Sequence, residues 1–235
     1  MPTPDVLLVP GMMLDRRMYD GQLSGLAGVA RPIVSDPSAG ETIGAIAEGL
    51  LAGAPARFAL VGLSMGGIVA LEMWRRAPER ITHLALLDTT PHADRPERRA
   101  LRLEQIAKVE AGFLREVLVE SMKPLYLARR NRGNALLLQS IADQAITLGP
   151  EVFRRQSLAL RDRPDSLATL PQIDCPSLVL CGREDQLCPV EDHVMMAGAM
   201  PRADLVVLAD CGHLSAMEEP EAVTSAIIRL LHRRA

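Results

Sequence analysis

The sequence predicts an α/β protein: a mostly parallel six-stranded sheet with helices on both faces and an inserted helical cap. Three observations predict it. Six short apolar runs alternate with helical stretches, the wiring of a parallel sheet. Those runs are rich in Val, Leu and Ile without polar alternation, as suits strands covered on both faces. One interval, residues 91–169, breaks the alternation and carries helical patterning alone.

In chain order, the strands are expected at residues 5–9, 30–34, 57–61, 82–87, 177–181 and 204–208. Helices should fill the gaps at about 16–27, 42–52, 65–77, 189–199 and 219–232. Glu41-Thr42 and Glu219-Pro220 read as helix starts, and Pro78 and Pro201 stop the helices before them. Within the interval 91–169, Asp94-Arg95-Pro96-Glu97 resembles a capped start, with Pro early and Glu three after the cap. Leu101, Ile106 and Val109, then Leu114, Val117 and Leu118, keep a 3.6-residue rhythm, and residues 135–148 and 152–160 supply two more helical segments. Placed after the fourth strand, such an insert would lie over the C-terminal edge of the sheet, where open parallel sheets bind ligands.

Bulk properties narrow the function. A chain of 235 residues with 48% hydrophobic content can bury one substantial core, so residues 1–235 are read as a single domain carrying that insertion. A net charge of −3 from nearly balanced Arg and acid gives no nucleic-acid footprint. The first residues lead straight into a strand with no basic and apolar leader, and no apolar stretch nears the roughly 20 residues of a membrane span. A cytoplasmic protein is expected, whose partners are a small acyl substrate and water, with a homodimer left open. Cys175, Cys181, Cys188 and Cys211 show neither Cys-x-x-Cys pairing nor a His at ligand spacing, so they read as free thiols and no metal or cofactor is expected.

The chemistry gathers around Gly62-Leu63-Ser64-Met65-Gly66. It lies between the strand at 57–61 and a helix, the setting of a nucleophile elbow, where a serine is held at the tip of a strained turn. A Cβ at position 62 or 66 would collide with backbone as the chain reverses. A serine hydroxyl needs a base, usually a histidine oriented by a carboxylate. Of His83, His92, His193, His213 and His232, only His213 follows a strand in a short loop on the edge that carries Ser64. His83 and His232 read as surface residues, and His193 as facing outward from its helix. Asp185, after the strand 177–181 and a Gly turn, is the expected acid, with Asp88 at the end of the strand 82–87 as competitor; Glu184 should point the other way. Two backbone N–H groups are needed for a developing oxyanion: Met65, directly after the serine, and Met12 in the loop after the first strand, with Met13 as the alternative. Met13, Leu187 and Leu214 flank these motifs as candidate pocket walls. With aromatic residues at only 3%, an aliphatic and thioether pocket is expected.

With these residues placed, the chain resembles the α/β-hydrolase superfamily, most of all its small bacterial esterase-like members with a helical cap. The resemblance rests on Leu7-Leu8-Val9-Pro10-Gly11, Val61-Gly62-Leu63-Ser64-Met65-Gly66-Gly67, Leu180-Cys181-Gly182-Arg183-Glu184-Asp185, Cys211-Gly212-His213-Leu214 and Glu218-Glu219-Pro220-Glu221. The order Ser64, Asp185, His213 is the order of that family. Many relatives carry His-Gly where this chain has Pro10-Gly11, and two N-terminal strands of larger members are missing. The resemblance implies hydrolysis of a carboxylic ester, thioester or lactone through an acyl-enzyme on Ser64. Its alternative is C–C bond hydrolysis or elimination by the same three residues. Arg129, Arg130 and Arg132 read as a solvated helix end, or else as contacts for a substrate carboxylate, as in relatives acting on acidic enol-lactones.

Overall fold

The computed structural model describes residues 3–118 and 126–235; residues 119–125, inside the interval expected to be helical, lie outside the described residues. Six strands, β1 (Asp5–Val9), β2 (Arg31–Val34), β3 (Phe58–Leu63), β4 (Ile81–Leu87), β5 (Ser177–Gly182) and β6 (Ala203–Leu208), form one sheet in the order β2-β1-β3-β4-β5-β6. Every pairing is parallel. All C-terminal strand ends therefore open onto one edge. β3, which precedes Ser64, lies near the centre of that edge, with β4 and β5 beside it.

β3 and β5 are buried along their whole length, which explains their unbroken apolar character. Alternate strand residues feed two cores. Leu7, Val9, Leu60 and Val179 pack with Met73 and Trp74 of α3 (Met65–Arg76) and Met196 of α7 (Val190–Ala199). Val6, Leu8, Val61 and Leu87 pack with Leu26, Val223 and Ile227 on the other face, the last two from α9 (Pro220–Leu231). Side chains alternate across a strand, so burying both sets needs helices on both faces.

The expected helix at 16–27 is shorter and tighter than its pattern suggested. A 3₁₀ turn (Arg16–Tyr19), capped by the Asp15 carboxylate on the Arg17 N–H, leads into α1 (Asp20–Gly25). Gly28, at φ 82°, ends the segment in a conformation that glycine adopts at no cost. α2 (Ile43–Gly53) starts as read, its Thr42 hydroxyl accepting from the Ala45 N–H at 3.1 Å.

Between β4 and β5 the described residues contain helices and no strand: α4 (Pro96–Glu110), α5 (Leu114–Glu116), a 3₁₀ turn (Arg129–Asn131), the long α6 (Ala135–Arg161) and a second 3₁₀ turn (Leu167–Gln172). α6 is kinked at Gly149 (φ 80°) and Pro150, so its two arms match the two separate segments read from the sequence. Ile106, Val109, Phe153 and Leu160 of this insert join the first core. A short α8 (Ser215–Glu218) follows the loop after β6.

Candidate active site

Ser64 caps the N-terminus of α3 with φ 56° and ψ −117°, a strained combination for a residue with a Cβ. The elbow is close-packed as anticipated: a Cβ on Gly62 would lie 2.2 Å from the Gly66 carbonyl oxygen, and one on Gly66 would lie 2.0 Å from that of Val9. The Ser64 N–H donates to the Leu87 carbonyl at 2.9 Å, and the Thr89 hydroxyl donates to the Ser64 carbonyl at 2.7 Å. The turn is thus held from β4. Among the described residues, the other two non-glycine residues with positive φ, Met13 and Asp88, lie in the segments that follow β1 and β4 on this same edge.

Ser64, His213 and Asp185 come together in one line. His213 Nε2 lies 2.9 Å from the Ser64 hydroxyl oxygen, and His213 Nδ1 lies 2.8 Å from Asp185 Oδ2. Asp185 Oδ1 accepts the Leu187 and Cys188 N–H groups at 2.8 and 3.0 Å, so the carboxylate is fixed by its own loop. Such a line lets the imidazole take the hydroxyl proton while the carboxylate stabilises the charge that forms. Burial opposes the charged imidazole, but the Asp185 charge and hydrogen bond outweigh it and raise the His213 pKa above its ordinary 6.5.

Asp88, the competing acid, is fully buried and does not reach the imidazole. Its oxygens accept from the Gly182 N–H at 3.1 Å and the Ser215 N–H at 3.0 Å, tying β4 to the loops that carry Asp185 and His213. Burial, then the nearby Asp185 charge, pushes its carboxyl up to about 8. Glu184 points away, as expected, accepting from the Arg129 N–H.

Neither the Met12 nor the Met65 backbone N–H has an acceptor among the described residues, and both residues line the cavity in front of Ser64. Unpaired backbone N–H groups beside a nucleophile are what a developing oxyanion requires. Met13, the alternative donor, is committed elsewhere: its N–H donates to Gln156 Oε1 at 2.8 Å.

A sequence model described as the Alpha/beta hydrolase family matches residues 6–226. The chain belongs to the α/β-hydrolase family. Similar proteins include the pimeloyl-[acyl-carrier protein] methyl ester esterase of Nitrosomonas europaea, 27% identical over 94% of this chain and 93% of that one. A thermophilic esterase from Thermogutta terrifontis superposes with a TM-score of 0.89 at 32% identity, over 97% of this chain and 89% of its own. The enol-lactonase from Burkholderia xenovorans LB400 also reaches 0.89, at 23% identity over 99% and 93% of the two chains, and shows the shared fold. This α/β-hydrolase is accordingly a hydrolase enzyme, and no described helix is long and apolar enough to cross a membrane.

The α/β-hydrolase site also corrects several expectations. His193 does not face outward: it is buried, its Nδ1–H donating to the Pro189 carbonyl and its Nε2 accepting the Thr89 N–H, both at 3.0 Å. Burial lowers its pKa, in keeping with that neutral tautomer. It braces the residue that grips Ser64. His83 is buried rather than on the surface, with Nε2 3.0 Å from the Arg233 carbonyl at the far end of β4. Met13 does not reach the cavity in front of Ser64, whereas Leu187 and Leu214 do line it. Met13 lines a separate, much smaller void, of about 10 Å³. Arg129, Arg130 and Arg132 are absent from the cavity wall. Arg129 and Arg130 pair with Glu184 and Glu219, and Arg132 donates to the Leu127 carbonyl.

The sequence reading also missed three positioning residues. Gln156 and Gln144 of α6 hold the loop after β1, accepting the Met13 and Asp15 N–H groups at 2.8 and 3.1 Å. Glu218 accepts from Gly212 N–H at 2.9 Å and Ala128 N–H at 2.8 Å, which fixes the His213 loop against the insert. Both glutamines are buried on α6, and no local pattern in the sequence names their partners. Gln156→Leu should lower kcat by about tenfold with a smaller change in KM, because the freed Met13 N–H lets the loop carrying Met12, the expected oxyanion donor, drift. Steady-state kinetics with a circular-dichroism check of folding measures this.

The four cysteines are free and buried. Among the described residues, donor atoms of Asp185, Cys188 and His213 lie within 4.8 Å of one another. Two of the three already bond each other, and burial holds Cys188 as a thiol, well above its ordinary value, which makes it a poor metal ligand.

Proposed function

We propose that this hydrolase cleaves a carboxylic ester, thioester or lactone of a small molecule through an acyl-enzyme on Ser64. His213 takes the hydroxyl proton as Ser64 attacks the carbonyl. Asp185 fixes the imidazole tautomer and stabilises its positive form. The Met12 and Met65 N–H groups receive the oxyanion. His213 then returns the proton to the leaving group, and water releases the acyl group by the same route. The observation that carries this reading is the continuous hydrogen-bonded line from Ser64 through His213 to Asp185. The helical insert acts as a cap, since α4 and α6 residues wall a cavity of about 370 Å³ over Ser64, a size suited to a small ligand.

A panel of p-nitrophenyl esters of increasing acyl length, with thioester, lactone and diketone arms, tests the reaction class. Ester or lactone turnover supports acyl transfer to water. Turnover confined to the diketone moves the site to C–C bond cleavage.

The pH dependence follows from His213. The base must be neutral, and its pKa is raised in the folded protein, so protons compete at higher pH than for a free imidazole. kcat/KM should rise with pH through a midpoint above 6.5, the ordinary imidazole value. A rate profile with its midpoint below that value contradicts the Asp185–His213 coupling.

A further inference from the structure

The cavity wall in front of Ser64 carries charge that the reaction above does not use. Asp94 is shared by two guanidiniums: Arg102 from α4 and Arg163 beyond α6 both pair with it, and all three side chains are at most 9% exposed. One buried carboxylate therefore faces two buried cations. An uncompensated buried charge is costly, so the surplus needs an anion. Arg163 spends other N–H groups on the His92 and Leu160 carbonyls, at 2.7 and 3.2 Å. Among the described residues, the Arg102 guanidinium meets, beyond Asp94, only the Met12 sulfur, a weak acceptor, at 4.0 Å. No Arg102 nitrogen is among the sealed, partnerless polar atoms of the described residues, so its spare donors open onto the cavity it lines.

Arg95 and Arg98 add two more guanidiniums from the start of α4. Neither has a hydrogen-bond or ion-pair partner among the described residues, and both line the cavity. Arg98 lies near enough to His213 and Tyr126 to bear electrostatically on both. The acids on the wall do not offset this. Asp94 is doubly engaged, and Asp192 accepts from the Thr90 hydroxyl at 2.8 Å and faces His92. Arg95, Arg98 and Arg102 follow a three- and four-residue spacing, which puts them on one face of α4.

We infer that Arg98 and Arg102 form an anion subsite, and that the substrate of this hydrolase carries a carboxylate besides its scissile acyl group. This rests on the acyl-transfer reading of Ser64 for the reaction, though not for the binding. A planar guanidinium fork matches a carboxylate with two parallel N–H···O bonds, and a cavity of this size admits a small dicarboxylate half-ester. The contact of Arg102 with the Met12 side chain brings the subsite within a side chain's length of the loop proposed to take the oxyanion.

The test compares monomethyl esters of dicarboxylic acids, from succinate to suberate, with their neutral ω-amide isosteres. At the best chain length the acid should exceed its amide in kcat/KM by about 10- to 100-fold, the value of one or two charge-assisted hydrogen bonds. Arg98→Gln and Arg102→Gln should each cut that acid-to-amide ratio by about tenfold or more, and Arg115→Gln, an exposed α5 arginine outside the cavity, should leave it unchanged. Equal rates on acid and amide, or ratios indifferent to Arg98 and Arg102, overturn the subsite while leaving the hydrolase reading intact.

Calorimetric titration of adipate and adipamide into the wild-type protein and Arg98→Gln reads the subsite without catalysis. Adipate binding that Arg98→Gln weakens, in a protein that turns over no ester, keeps the subsite and removes the acyl-transfer reading. Inorganic phosphate that competes at lower concentration than adipate overturns the carboxylate assignment.

Discussion

Replacing Ser64 with alanine is expected to lower kcat on any acyl substrate by about 10⁴-fold or more. The hydroxyl has one hydrogen-bond partner among the described residues, His213 Nε2, so its loss frees that single nitrogen, on a residue that lines the cavity in front of Ser64. The backbone ties of the elbow, Ser64 N–H to Leu87 and Thr89 hydroxyl to the Ser64 carbonyl, do not involve the side chain that is removed. Alanine also keeps a Cβ at the same positive φ, so the strain of the turn is unchanged. Kinetics and a thermal melt on the same preparation check this: the rate should collapse while Tm stays near wild type. A rate retained within tenfold contradicts the nucleophile assignment.

The second large effect separates the two candidate acids. Asp185→Asn is expected to lower kcat by about 10⁴-fold. Asp185 Oδ1 is claimed by two N–H donors of its own loop, so the oxygen of an asparagine would stay there and its NH₂ would face His213. The imidazole would then have to accept at Nδ1 and carry its proton on Nε2, the atom that must receive the Ser64 proton. The variant keeps the shape and holds the wrong tautomer. Asp88→Asn acts differently. Its amide would set a donor against the Gly182 or Ser215 N–H, at a cost of about 1–3 kcal/mol in stability, while the line from Ser64 to Asp185 persists. Urea unfolding with kinetics on both variants distinguishes them. A larger kcat loss in Asp88→Asn than in Asp185→Asn would contradict the assignment.

The fold was legible because its signal is local. Strands such as Phe58–Leu63 and Ser177–Gly182 are buried on both faces, and a short continuous apolar run is how such a strand is written. The elbow was legible because it needs Gly62 and Gly66 at fixed offsets from Ser64 to let backbone meet backbone. His213 and Asp185 followed from their positions after strands that end on the same edge. What escaped was long-range. Gln156 meets Met13 across 143 residues and Gln144 meets Asp15 across 129, and nothing in an amphipathic pattern names such partners. His193 was misread because a histidine on a helix beside charged residues carries no mark of the Thr89 N–H it accepts. Proximity in sequence left two readings open for one arginine cluster, a solvated helix end or a substrate contact, and named no other. Arg129, Arg130 and Arg132 cluster along the chain yet bond outer loops, whereas Arg95, Arg98 and Arg102, spaced for one helical face, line the cavity with Arg163.

The hydroxyl oxygen of Ser64 is the atom proposed to become acylated, and covalent capture measures that most directly. After treatment with a fluorophosphonate, peptide mapping by mass spectrometry should find one stoichiometric adduct, on the peptide holding Ser64. The adduct should vanish in Ser64→Ala and form far more slowly in His213→Ala. An unmodified Ser64 peptide in active protein, or an adduct on another residue that tracks the loss of activity, would contradict the account.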